Sequence, residues 1–206
     1  MRIAAHLKGI DLQYNFVHLL KNDQQSESYT SVNPSRSVPT LVVTEDGKDE
    51  VIIGQSVAIL EFFEETFPDS MPLLPPASNP VARAKVRELV DIVACDIQPV
   101  TNLRILQRIR PAGIDANEWQ QNFMTAGLRA YETLASAYAG KYSVGDNVTM
   151  ADVVLAPAID GAVRFGVDIG EFPTIARIAE ELKQVDAFQK GSWKNQPDTP
   201  EEFRSS

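Results

Sequence analysis

Two short stretches decide the fold: S-V-P-T-L at residues 37–41 and G-Q-S-V-A-I-L at residues 54–60. Leu41, Val42 and Val43 continue the first as a β-branched run, and Val51, Ile52 and Ile53 lead into the second. Between them T-E-D-G-K-D-E carries the Asp46-Gly47 turn signal, so residues 41–53 read as a hairpin. The second stretch opens a helix that Ser56 is predicted to cap, with Val57, Leu60, Phe63 and Phe67 on its apolar face and Pro68 at its close. A serine at a helix start leaves backbone N–H donors facing outward, where the helix dipole and the hydroxyl suit a carboxylate. Either stretch alone is ordinary turn or cap chemistry. The ordered pair around a hairpin is the informative feature.

Working outward, R-I-A-A-H-L-K at 2–8 puts Ile3, Ala4 and Leu7 on one helical face, and Lys8-Gly9 supplies a basic last turn and a stop. Q-Y-N-F-V-H-L-L at 13–20 alternates as a strand would. Five prolines between Pro68 and Pro80 are too many for a regular element and mark a stiff connection. Beyond it the pattern is helical throughout. Val86, Leu89, Val90, Val93 and Ile97 form one stripe, and Phe123, Leu128, Tyr131, Leu134 and Tyr138 form another on a helix predicted from Asp115 to Gly140. Residues 150–165 and 174–185 supply two more helices, the first opened by a Thr149/Asp152 capping box. The expected architecture is an α/β domain over residues 1–74 followed by an all-α domain over 75–206.

Bulk properties narrow the function. The 206 residues, 44% of them hydrophobic, suffice for a sizeable core. A net charge of −9 repels a nucleic-acid backbone or an anionic membrane over most of the surface. No apolar run reaches the length of a membrane span. His6 and His18 are too few and too far apart for a metal site, and the single cysteine, Cys95, is read as inert core in a chain from a reducing cytoplasm.

The 37–41 and 54–60 stretches resemble the thioredoxin-like, glutathione-binding domain of the glutathione transferases. R-I-A-A-H-L-K-G-I at 2–10, I-Q-P-V-T-N-L at 97–103, R-F-G-V-D at 164–168 and Q-P-D-T-P at 196–200 are similar to the zeta class, the maleylacetoacetate isomerases. The resemblance implies a cis Val38–Pro39 bond, glutathione as cofactor, and pairing of the Val38 backbone with the tripeptide. It implies that Gln55 and Ser56 hold the γ-glutamyl end, and that Ser37 stands where the family usually carries a longer side chain against the glycine end. Arg164 is expected to grip a substrate carboxylate, with Gln98 on the substrate side and Asn102 on the cofactor side of the pocket, the two sharing one helical face.

The implied reaction is cis–trans isomerisation of maleylacetoacetate in tyrosine breakdown by a homodimer, with side activity on α-halo acids. In the family a first strand and a serine-bearing segment precede the stretch at 2–10, so the expectation is a thioredoxin-like domain short of about twenty residues, with no catalytic serine to name. That expectation carries an alternative: a glutathione-transferase-like interaction module impaired in catalysis.

Overall fold

The computed structural model describes residues 1–204. Helix α1 spans Arg2–Lys8 and stops at Gly9, whose left-handed φ of 67° lets the Ile10 N–H return to the Ala5 carbonyl at 2.9 Å. Residues 13–18 form no strand. Backbone pairing defines a strand, and no other segment among the described residues pairs with them, so their alternation ends in mostly exposed extended chain and a 3₁₀ turn at Leu19–Lys21. Helix α2, Glu27–Val32, is capped by the Ser26 hydroxyl. Strands β1 (Thr40–Val43) and β2 (Val51–Gly54) then form the expected antiparallel hairpin, with Thr40 opposite Gly54 and Val43 opposite Val51.

Helix α3 runs Ser56–Thr66 and buries Ile59, Leu60 and Phe63. The proline-rich connection after it is anchored to the core. Leu73 and Leu74 are buried within it, and the Glu64 carboxylate accepts from both of their N–H groups, at 2.9 and 3.3 Å. Lys8 Nζ pairs with the same carboxylate at 2.8 Å and donates to Ser70 and Met71. One buried ion pair thus ties α1, α3 and the connection together.

Helix α4 (Pro80–Asp91) continues through a π-helical segment at Ile92–Ile97 into the short α5 (Gln98–Thr101), and the whole stripe from Val86 to Ile97 is buried. The wider π turn ends two residues before Pro99, which cannot donate a helical hydrogen bond. Cys95 is exposed, not core: two positions from both Val93 and Ile97, it lies on the opposite side of the rod. Helix α6 covers Leu103–Ile109.

Helix α7 runs Ala116–Ala135, shorter than predicted, and its buried face carries Gln120, Met124, Gly127, Leu128, Tyr131 and Ala135. Phe123 and Tyr138 fall outside that face and are exposed, because Tyr138 lies beyond the helix and Phe123 turns toward Trp119. Gly127 is where α7 meets the π segment, since a Cβ there would overlap the Ile97 side chain.

Helix α8 (Met150–Arg164) opens with the predicted capping box and is followed by α9 (Pro173–Lys183) and α10 (Asp186–Gly191). The buried Asp152 carboxylate accepts from Ser143, from the Thr149 N–H and from the Thr149 hydroxyl. Burial raises its pKa from the ordinary aspartate value against the pull of those bonds. Helix α1 packs on α10 so closely that a Cβ on Gly191 would lie 2.6–2.8 Å from Ile3. A single apolar cluster therefore runs from α1, β1 and α3 into the helical half.

Candidate glutathione and substrate site

The Val38–Pro39 peptide is cis, as expected. The loop carrying it is held by three polar side chains that sequence reading passed over. Asn33 donates from its amide to the Ser37 carbonyl and to Thr40 Oγ1, both at 2.8 Å. Its oxygen accepts from the Ser35 N–H and hydroxyl. Tyr29 donates to the same Ser37 carbonyl at 2.7 Å, which leaves the Thr40 hydroxyl to donate to the Tyr29 oxygen at 2.8 Å. Each group in the network has a partner, the arrangement that makes a partly buried polar cluster rigid. The available signal was Asn33-Pro34, a dipeptide that ends α2 and begins a turn.

Val38 is exposed beside this clamp, and among the described residues no protein group bonds its N–H or its C=O. The hairpin register then brings the second stretch alongside. Because Thr40 faces Gly54, the Val38–Pro39 peptide and the Gln55-Ser56 pair emerge from the same end of neighbouring strands, whose axes lie about 5 Å apart.

Ser56 is not the cap. Gln55 takes that position with φ 69° and ψ 124°, making a sharp exit from β2 that leaves Ser56 as the first helical residue. The Ser56 hydroxyl, the Gln55 amide and the first N–H groups of α3 consequently have no protein partner among the described residues. Ser37 adds a hydroxyl that bonds Ser35 Oγ at 2.7 Å; since Ser35 donates onward to Asn33, Ser37 is the donor and keeps its acceptor capacity. This end of the hairpin therefore offers an exposed peptide edge beside a donor-rich helix terminus. Those are the fittings a small peptide with a free α-carboxylate requires.

The other expected residues lie on the helical half, and among the described residues none hydrogen-bonds to Ser37, Val38, Gln55 or Ser56. Gln98 is exposed. Asn102 does not share a helical face with it: ψ of 146° at Asn102 breaks the chain between α5 and α6, and its side chain caps α6 through the Arg104 N–H at 3.3 Å. Arg164 is the last residue of α8, exposed, with its guanidinium carbon 5.6–5.9 Å from the ring centres of Trp193, Phe203 and Phe165.

Residues 1–66 match the family described as glutathione S-transferase, N-terminal domain, and residues 109–184 match glutathione S-transferase, C-terminal domain. The chain is 54% identical over 207 aligned positions to maleylacetoacetate isomerase maiA of Aspergillus fumigatus, covering all of this chain and 90% of that protein. Among solved structures it resembles a bacterial maleyl pyruvate isomerase described as a zeta-class glutathione S-transferase (TM-score 0.88, 37% identity, 97% of this chain and 93% of that one). It also resembles a maleylacetoacetate isomerase from Methylobacterium extorquens solved with malonate and glutathione (TM-score 0.87, 34% identity, 97% and 92% coverage).

Proposed function

The chain belongs to the glutathione transferases, in their zeta class of maleylacetoacetate isomerases, and we propose that it isomerises maleylacetoacetate to fumarylacetoacetate with glutathione held in the cleft between Val38 and Ser56. The observation that carries the siting is the Thr40–Gly54 register, which sets the Val38 peptide edge beside the open terminus of α3. Similarity over the full chain to proteins named for this reaction supports the substrate and does not favour the interaction-module alternative.

The chemistry that glutathione supplies when bound is a nucleophilic thiol for reversible addition to the cis double bond of the substrate. The chain does the holding. The Val38 N–H and C=O pair with the peptide backbone, as an added strand would. Ser56 and the first N–H groups of α3 take the γ-glutamyl carboxylate, Gln55 the neighbouring amine, and Ser37 accepts near the glycine end. Arg164 takes a carboxylate of the substrate through two parallel N–H groups. Gln98, exposed beside the π segment, and Asn102, with its amide N–H₂ still free to donate, complete the polar lining.

Division after residue 74 into glutathione-binding and substrate-binding domains, a homodimeric state, a cytoplasmic setting and a place in tyrosine breakdown belong to the same proposal. The α-halo acids are the expected side substrates. Following the absorbance of maleylacetoacetate with purified protein tests it. Conversion that requires glutathione and yields the trans isomer is expected; no conversion at any glutathione concentration would refute the proposal.

A further inference from the structure

Arg164 differs from the other arginines that anchor this structure. Arg87 grips Glu61 through two bonds and Arg129 reaches Glu171, while the Arg164 guanidinium has neither an acid nor a carbonyl partner among the described residues. In a chain of net charge −9 it is instead framed by aromatic rings. Two of the three come from the C-terminal tail: Trp193 at 5.6 Å and Phe203 at 5.7 Å, with ring centres 6.0 Å apart.

The tail presents those rings through its own polar knot. Gln196, buried, donates to the carbonyls of Lys190 and Ser192 at 2.9 and 2.6 Å. Thr199, also buried, donates to the Trp193 carbonyl. Arg204 closes the knot on the carbonyls of Thr199 and Pro197 at 3.0 and 3.1 Å. Q-P-D-T-P at 196–200 is thus a folding device. It brings rings ten positions apart in sequence onto one guanidinium.

Ring faces attract the cation, while the five N–H donors of a guanidinium lie in its plane and stay available to a carboxylate. The rings also displace water from one side of the charge, which strengthens its pairing with an anion. We infer that the C-terminal tail, through Trp193 and Phe203, positions Arg164 as the carboxylate-binding fork of the second-substrate site and so sets that site's preference for carboxylate ends. This rests on the proposed role of Arg164. Trp193 and Phe203 are positioning residues, not groups that contact the reacting atoms.

Calorimetric titration of the full chain with malonate, in saturating glutathione, tests the inference without requiring turnover, with glutathione titrations as the control. W193A/F203A is expected to bind malonate about tenfold more weakly, the scale of one or two cation–π contacts, while its glutathione affinity stays within about twofold. W193F, which keeps a ring, is expected to stay within about threefold of the unaltered chain on the same scale, and R164A to lose malonate binding. If R164A binds malonate normally, or the unaltered chain does not bind it, the substrate role of Arg164 falls and the inference with it. If R164A is impaired and W193A/F203A is not, the arginine role stands and the positioning role is overturned. Parallel loss of glutathione and malonate binding in W193A/F203A would also overturn it, marking the rings as structural.

Discussion

Asn33, itself buried, uses both amide hydrogens and its oxygen inside a partly buried cluster. Truncating it to alanine leaves Thr40 short of a donor and the Ser37 carbonyl with one partner, a loss of about 1–3 kcal/mol where the groups stay buried. Since the loop so loosened presents Val38, N33A is expected to raise the glutathione Kd about tenfold while maleylacetoacetate KM at saturating glutathione changes little. Ligand titration and steady-state kinetics on the same preparation check this, and an unchanged Kd would remove Asn33 from the site's support. Little of this was legible from the sequence. The cis bond followed from the resemblance, but the partners of Asn33 and Tyr29 depend on how a short helix and a strand end face one another. Gln55 at φ 69° was hidden for a different reason: positive φ is usually signalled by glycine or asparagine, and glutamine gives no such sign. The expectation of a serine cap failed there, and its failure frees the Ser56 hydroxyl that the proposed site assigns to the γ-glutamyl carboxylate.

Helices with strong periodicity were read well, because burial of one face leaves a repeated mark in the sequence. The stripe from Val86 to Ile97, the Gly9 stop and the Thr149/Asp152 box all stand in the structure as read. Segments whose state depends on a distant partner were not. Residues 13–18 alternate like a strand but have none to pair with among the described residues, and Phe123 and Tyr138 fit a periodicity that α7 does not sustain. The contact of α1 with α10 is equally silent in the sequence, although it requires Gly191. A methyl group there meets the Ile3 backbone, which cannot swing aside as a side chain can. G191A is therefore expected to destabilise the chain by about 1–3 kcal/mol. Urea denaturation followed by circular dichroism measures this; stability equal to the parent would show that the two helices are not in close contact.

Over the whole molecule, the connection expected to be a stiff spacer is the place where the two halves are fastened. Lys8 and Glu64 form a buried ion pair whose remaining capacity goes to Leu73, Leu74, Ser70 and Met71, and Met150 at the head of α8 donates to the Leu73 carbonyl at 2.8 Å. Removing one charge strands the other, so E64Q is expected to cost about 3–5 kcal/mol of stability. K8M/E64Q, which removes both charges and keeps an amide oxygen as acceptor for the Leu73–Leu74 turn, is expected to cost less, and the opposite ranking in denaturant melts would contradict an uncompensated Lys8 charge as the cause. The proline count marked this boundary, yet the lock across it was invisible, because its two charges lie 56 positions apart and each resembles an ordinary surface residue.

The glutathione cleft is the central claim, and a crystal structure of the protein with glutathione tests it most directly. The expected result is the cysteinyl backbone paired with the Val38 N–H and C=O, and the γ-glutamyl carboxylate on Ser56 and the first turn of α3. Electron density for glutathione elsewhere on the molecule, with the Val38 edge and the α3 terminus left to solvent, would contradict it.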